Sequence, residues 1–212
     1  MALFTTRETL ILASASPRRK HFLEELGLVF DIQPAKVDEQ PLLHESPEQF
    51  VLRIATEKAC KTALNFPEAW ILGADTVVIL DHEILGKPTD ANDAQKLLLK
   101  LAGREHEVLT GFCLMNERNN SQLTKSVTTQ VKFTDLSEEI AAAYVDTGEP
   151  LDKAGAYGIQ GIGGFLIEEI NGSYSNVVGL PLAKVVGELL KCGIISPASP
   201  DNALATRQHS KI

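Results

Sequence analysis

Four cations and two carboxylates stand out in this chain by their local context. Arg18 and Arg19 follow small hydroxyl residues and a proline in SASPRRK, with Ser14 at its head. Lys58 lies in EKA, Lys87 in GKP, Glu39 in VDE and Asp75 in GADTVV. Two arginines and two lysines can grip several phosphates, Arg through forked donors and Lys as a compact charge. Two carboxylates can hold a hard divalent cation, which takes oxygen ligands and neutralises phosphate charge. The run Arg18-Arg19-Lys20 also falls at the start of a helix. That end is already positive, so a cationic first turn is unfavourable unless an anion sits there.

Each residue also has a plainer reading. Arg18 and Arg19 make a solvated helix start, Lys87 a surface turn, and Glu39 a solvated loop acid. Lys58, on the apolar side of a helix, can snorkel to water. Asp75 lies between Trp70-Ile71-Leu72 and Val77-Val78-Ile79, where a carboxylate needs a partner, a proton or a metal. The alternative is a bulge at Gly73 with Asp75 capping a local turn. Gln160, in YGIQGIGG, reads as a turn residue whose amide satisfies its own loop. Those glycines match neither the P-loop nor the dinucleotide fingerprint. Ser14 and Ser16 lack the context of a hydrolase nucleophile, and the five histidines lack zincin spacing. The set stands out by its joint presence where α/β proteins build their sites.

The elements that must position these residues follow from local pattern. TLILAS reads as a short buried strand, with Ser16 as N-cap and Pro17 as the first residue of a helix that Gly27 stops. LVFDIQPA reads as a second strand. ESPEQF opens a helix with a capping box, Ser46 to Gln49, and sets Phe50, Val51, Ile54, Ala55 and Ala59 on one side. WILGADTVVIL is a strand interrupted at Gly73–Thr76. A helix from about Ala91 closes at Gly103. HEVLTGFCLMN and Leu123–Phe133 form a hairpin around NERNNSQ. LSEEIAAAYVDTG is a short capped helix, YGIQGIGGFLIEEINGSY a Gly-rich bend with a strand, and LPLAKVVGELLKCG the last helix. The pattern is α/β, a mixed twisted sheet with flanking helices, compatible with two lobes around a central cleft.

The 212 residues, 44% hydrophobic, suffice for one domain or two small lobes. We expect one domain over 1–195. The Pro/Ser/Asn-rich stretch from Ile195 onward, taken as the tail 196–212, is expected to be disordered. A net charge of -8 without a basic stripe argues against a nucleic-acid partner. Cys60, Cys113 and Cys192 imply neither a zinc site nor a disulfide framework, which suits a reducing, cytoplasmic compartment. No apolar run reaches a membrane span, and LILASAS is too short for a signal sequence.

In order, LASASPRR, VDE, EKA, GADTVV, GKP, HEVLTG, DKAGAYGIQG and GSYSNVVGLPL make a specific series. From about Leu10 to about Cys192 the chain resembles the Maf family of nucleoside triphosphate pyrophosphatases, also called septum-formation inhibitor proteins. The resemblance implies an α/β fold with a central cleft, related to the inosine-triphosphate pyrophosphatases. It implies hydrolysis between the α and β phosphates, with Mg²⁺ or Mn²⁺ as cofactor, and makes a homodimer reasonable. Ser14, Arg18 and Arg19 match the family's phosphate-binding loop, Glu39 an acidic site residue, and Lys58 and Lys87 its site lysines. Asp75 matches the proton acceptor. Arg18, Thr76 and Gln160 look like the subgroup acting on dTTP and UTP, in which Thr76 and Gln160 would read the pyrimidine edge. The alternatives are a pyrophosphatase for other or modified nucleotides, such as 7-methyl-GTP, and a nucleotide-binding division regulator without turnover.

Overall fold

The computed structural model describes residues 2–198. Its strands are β1 (Phe4–Thr6), β2 (Leu10–Leu12), β3 (Asp31–Ile32), β4 (Trp70–Leu80), β5 (Glu83–Leu85), β6 (Glu105–Asn116), β7 (Ser121–Phe133), β8 (Ile167–Asn171) and β9 (Ile195–Pro197). Its helices are α1 (Pro17–Glu25), α2 (Pro47–Ala63), α3 (Ala91–Leu101), α4 (Glu138–Asp146), α5 (Tyr174–Val178) and α6 (Leu182–Lys191). Three short 3-10 turns fill Glu149–Leu166. The main sheet runs β3-β2-β4-β6-β7-β8 and is mixed: β2 is parallel to β3 and β4, and the remaining pairs are antiparallel. This is the expected α/β architecture.

Strand β4 organises the molecule, because its side chains alternate between the two faces of the sheet. On one face Trp70, Leu72 and Ala74 join a cluster with Phe22 and Leu23 of α1 and Val185 and Leu189 of α6. On that same face Val78 and Leu80 join a second cluster with Leu98 of α3 and Tyr144 of α4. Thr76 lies between them. On the opposite face Ile71 packs beneath Ala55 and Ala59 of α2, and Val77 and Ile79 beneath Phe50, Val51 and Ile54. Gly73 and Asp75 lie between those two groups. Each face thus carries apolar residues at both ends of β4 and polar or small residues in its middle.

The bulge at Gly73, the alternative reading of the sequence, is absent. Register with β6 runs unbroken from Ile71↔Met115 to Ile79↔Glu107. Gly73 is there for space: a Cβ on it would stand 2.2 Å from the Ala55 carbonyl oxygen. Gly111, opposite Asp75 on β6, likewise leaves no room: a Cβ on it would stand 2.6 Å from the Val51 carbonyl oxygen of α2. The two glycines let α2 lie close on the sheet. Its capping box forms as expected: Ser46 Oγ accepts from Gln49 N, and Gln49 Oε1 accepts from Ser46 N.

Two further expectations are corrected. LVFDIQPA contributes only Asp31–Ile32 as strand, because β3 pairs with β2, which is itself three residues long. Ile195–Pro197 is strand rather than irregular tail: it pairs antiparallel with Phe4–Thr6, and Ile195 is buried. The remainder of the expected tail, from residue 199, lies outside the described residues.

Candidate active site

Strand β2 pairs with β4 at Trp70–Leu72, and β5 pairs with the same edge at Val78–Leu80. Between them that edge has no strand partner among the described residues. A cleft of about 840 Å³ opens against this gap. All nine residues singled out in the sequence line it: Ser14, Arg18, Arg19, Glu39, Lys58, Asp75, Thr76, Lys87 and Gln160.

Asp75 and Lys58 are each 8 % exposed. Lys58 does not snorkel outward: its ammonium sits between two carboxylates, 2.8 Å from Asp75 Oδ1 and 2.7 Å from Glu39 Oε1. The close seat of α2 brings Lys58 to Asp75, and the segment before α2 brings Glu39. Burial by itself would raise the Glu39 carboxyl. The Lys58 hydrogen bond and charge, with the charges of Lys87 and Arg19, outweigh it and hold Glu39 below the usual carboxylate range. Two carboxylates about one buried cation form a charged centre in the cleft wall.

The two arginines divide. Arg18 keeps a partly exposed side chain, with Nη1 3.9 Å from Asp152. Arg19 turns inward and is buried. Its Nε donates to Gly179 O at 2.8 Å, Nη1 to Ala74 O at 2.9 Å and to Ser14 Oγ at 3.1 Å, and Nη2 to Thr76 Oγ1 at 3.0 Å. Ala74 O belongs to the unpaired β4 edge, so Arg19 satisfies backbone that no strand covers. Burial lowers the Arg19 pKa from its ordinary value, and the Asp75 charge opposes that shift. Arg19 therefore shapes the cleft wall, and Arg18 is the arginine with donors to spare. Ser16 caps α1, accepting from Arg19 N.

Thr76 belongs to a buried polar layer. Its Oγ1 lies 2.9 Å from Thr110 Oγ1; Thr110 Oγ1 donates to Asn176 O; and the Asn176 amide donates to Val108 O and Thr129 Oγ1. Lys87 is exposed at the cleft edge in the turn after β5. Gln160 is half-buried, and its amide makes no hydrogen bond to its own loop among the described residues. The sequence reading passed over Asp152 and Lys153, which also line the cleft. Their signal was the DK pair just before the Gly-rich bend.

The Maf-like protein family model matches residues 9–192. The chain belongs to the Maf-like protein family. Among its relatives, a protein named dTTP/UTP pyrophosphatase from Desulfotalea psychrophila is 49% identical over 194 residues, 92% of this chain and 100% of that protein. Another of the same name from Geobacter sulfurreducens is 46% identical over 186 residues, 88% of this chain and 97% of that one. Among solved structures, the Staphylococcus aureus Ham1 protein aligns over 60% of this chain and 73% of its own, at 14% identity and a TM-score of 0.45. The matched region of this Maf-like chain contains every residue of the cleft named above.

Proposed function

We propose that this protein hydrolyses dTTP and UTP to the monophosphate and pyrophosphate in this cleft. The observation that carries the proposal is the Asp75–Lys58–Glu39 centre, set in the β4 gap and ringed by Ser14, Arg18 and Lys87. The names of the relatives supply the nucleotide class.

Each residue has a task that its position supports. Lys58 donates to Asp75 and ion-pairs with Glu39, so it holds the two carboxylates together. Asp75 Oδ1 is engaged by Lys58, which leaves Oδ2 to orient the attacking water and take its proton. Arg18 and Lys87 grip the β and γ phosphates and stabilise charge on the departing pyrophosphate. Ser14 Oγ adds a donor, and so does the Arg18 N–H, the one amide of the first turn of α1 without a hydrogen bond among the described residues. Arg19 holds Ser14, Thr76 and Gly179 in place. Positioning and electrostatics carry most of phosphoryl-transfer catalysis, so no covalent intermediate is needed.

The donor set fits Mg²⁺ or Mn²⁺. Among the described residues no group of three His, Cys, Asp or Glu side chains makes a complete protein cage. Glu39 and Asp75 each keep one oxygen that is not paired with Lys58, which suits a cation shared with substrate phosphates and water. Glu39 and Asp75 would hold it, and it would supply charge neutralisation at the phosphates. Thr76 and Gln160 would read the pyrimidine edge, where an amide both donates and accepts. Three free cysteines support a reducing, cytoplasmic setting, and no helix among the described residues is long and apolar enough to cross a membrane.

The test is pyrophosphate release from dTTP, UTP, CTP, ATP, GTP and 7-methyl-GTP, with and without Mg²⁺ or Mn²⁺. Metal-dependent release led by dTTP and UTP is expected. Release led by another base would keep the reaction and discard the specificity. Binding without release, by folded protein, would overturn the enzyme reading in favour of a nucleotide-binding regulator.

A further inference from the structure

The Gly-rich bend YGIQGIGG matches no phosphate-binding motif, and its glycines have a different cause in the structure. They lie against one carboxylate. Glu149 Oε2 accepts from Ile162 N at 3.0 Å, and Oε1 accepts from Gly163 N at 2.9 Å. The Tyr144 hydroxyl, on α4 and buried, donates to the same Oε1 at 2.8 Å. The glycines make room for this arrangement. A Cβ on Gly161, at φ +85°, would stand 2.7 Å from Glu149 Oε2, and one on Gly163 would stand 2.3 Å from the Tyr144 hydroxyl. Gln160 is carried by the residues just before these anchored amides, and it lines the cleft.

We propose that Glu149, braced by Tyr144, is a positioning residue that sets base selectivity by fixing the loop that carries Gln160. The inference rests on the reading of Gln160 as the base-reading amide. Glu149 is not among the residues lining the cleft, so it acts through the loop. Three donors converge on one carboxylate, and the Lys153 ammonium also bonds the Glu149 carbonyl oxygen. Glu149 is thereby held at its backbone while its side chain ties the loop. An amide that must distinguish uracil from cytosine needs fixed geometry, because only a fixed donor–acceptor pair leaves the wrong base unpaired. Burial alone would raise the Glu149 carboxyl; the Gly163, Ile162 and Tyr144 donors outweigh it and keep the group an ionised acceptor.

Glu149→Gln keeps the shape but turns a donor toward the Ile162 N–H. The expected result is a rise in KM for UTP with kcat nearly unchanged. The UTP-to-CTP ratio of kcat/KM should fall about tenfold, as expected when a positioning group is lost. In a Gln160→Ala background the same substitution should leave the ratio where Gln160→Ala has already put it. Tyr144→Phe, which removes only the hydroxyl, should move the ratio in the same direction and serves if Glu149→Gln fails to fold. A variant that lowers UTP and CTP turnover equally, or changes neither, would overturn the inference. So would an additional ratio change on top of Gln160→Ala. A wild-type protein with no preference for UTP over CTP would instead sink the base-reading assignment itself, and this inference with it.

Discussion

At the scale of single residues, Asp75 is the group on which the chemistry turns. Its substitution by Asn keeps the shape and the Lys58 contact through the amide oxygen, and removes the base. Lys58 retains Glu39, so no buried cation is left alone. We expect Asp75→Asn to lower kcat by about 100-fold or more, the usual worth of a positioned base. The affinity for a UTP analogue with a methylene bridge between the α and β phosphorus atoms should change little. Turnover near the wild-type rate would remove Asp75 from the role of base. The types of the site residues were legible in the sequence because buried carboxylates and turn cations are out of place without a partner. Their pairing was not. Nothing local links Lys58 to Asp75, or tells that Arg19 spends its donors on Ala74, Gly179, Ser14 and Thr76. Those bonds exist only after α1 and α2 have docked on β4.

At the scale of elements, the seat of α2 on β4 and β6 sets where Lys58 points. Gly73→Ala drives a methyl into the Ala55 carbonyl, and neither the helix backbone nor the strand can yield without moving Lys58 from Asp75. Overpacking of this kind costs about 3 kcal/mol. Gly187, in α6, has nothing within 4 Å of an added Cβ. Gly187→Ala should therefore stabilise by about 0.5–1 kcal/mol through helix propensity alone. Urea midpoints of the two variants should move in opposite directions, and only Gly73→Ala should lose activity in proportion. Equal shifts would mean that the close approach is not rigid. The long elements were legible: α2 from its capping box and apolar side, β4 from its apolar run, β6 and β7 as a hairpin around NERNNSQ. The short ones were not. Asp31–Ile32, Ile195–Pro197 and Tyr174–Val178 owe their conformation to the neighbours they meet, and two to five residues carry too little periodicity to reveal them.

At the scale of the whole molecule, one sheet runs beneath both apolar clusters of the α1/α6 and α3/α4 sides, so the two should unfold together. A pH titration can report this. His106, on β6, is buried within the α3/α4 side, edge-on to Phe133 and Tyr157, with Nε2 2.7 Å from the Tyr157 hydroxyl. Glu105 and Glu107 alternate to the other, exposed face. Burial pushes the His106 pKa down to about 4 from 6.5. The folded state therefore resists protonation that the unfolded chain accepts. Stability is intact above the unfolded value and falls as pH drops from 6.5 toward 4. Between pH 7 and pH 5 the loss should be about 2 kcal/mol. Glu39, Glu45, Glu149 and Asp152 are all held below their ordinary values, so their contributions are lost only at lower pH. Trp70, the one tryptophan of the chain, sits in the other cluster, on the α1/α6 side. If the sheet couples the two sides, the urea midpoint read by Trp70 fluorescence should fall on going from pH 7 to pH 5, and His106→Gln should abolish most of that fall. A Trp70 midpoint unmoved by pH, while circular dichroism loses part of its signal earlier, would mean that the sides unfold separately and that the polar layer of Thr76, Thr110 and Asn176 is a boundary rather than a joint.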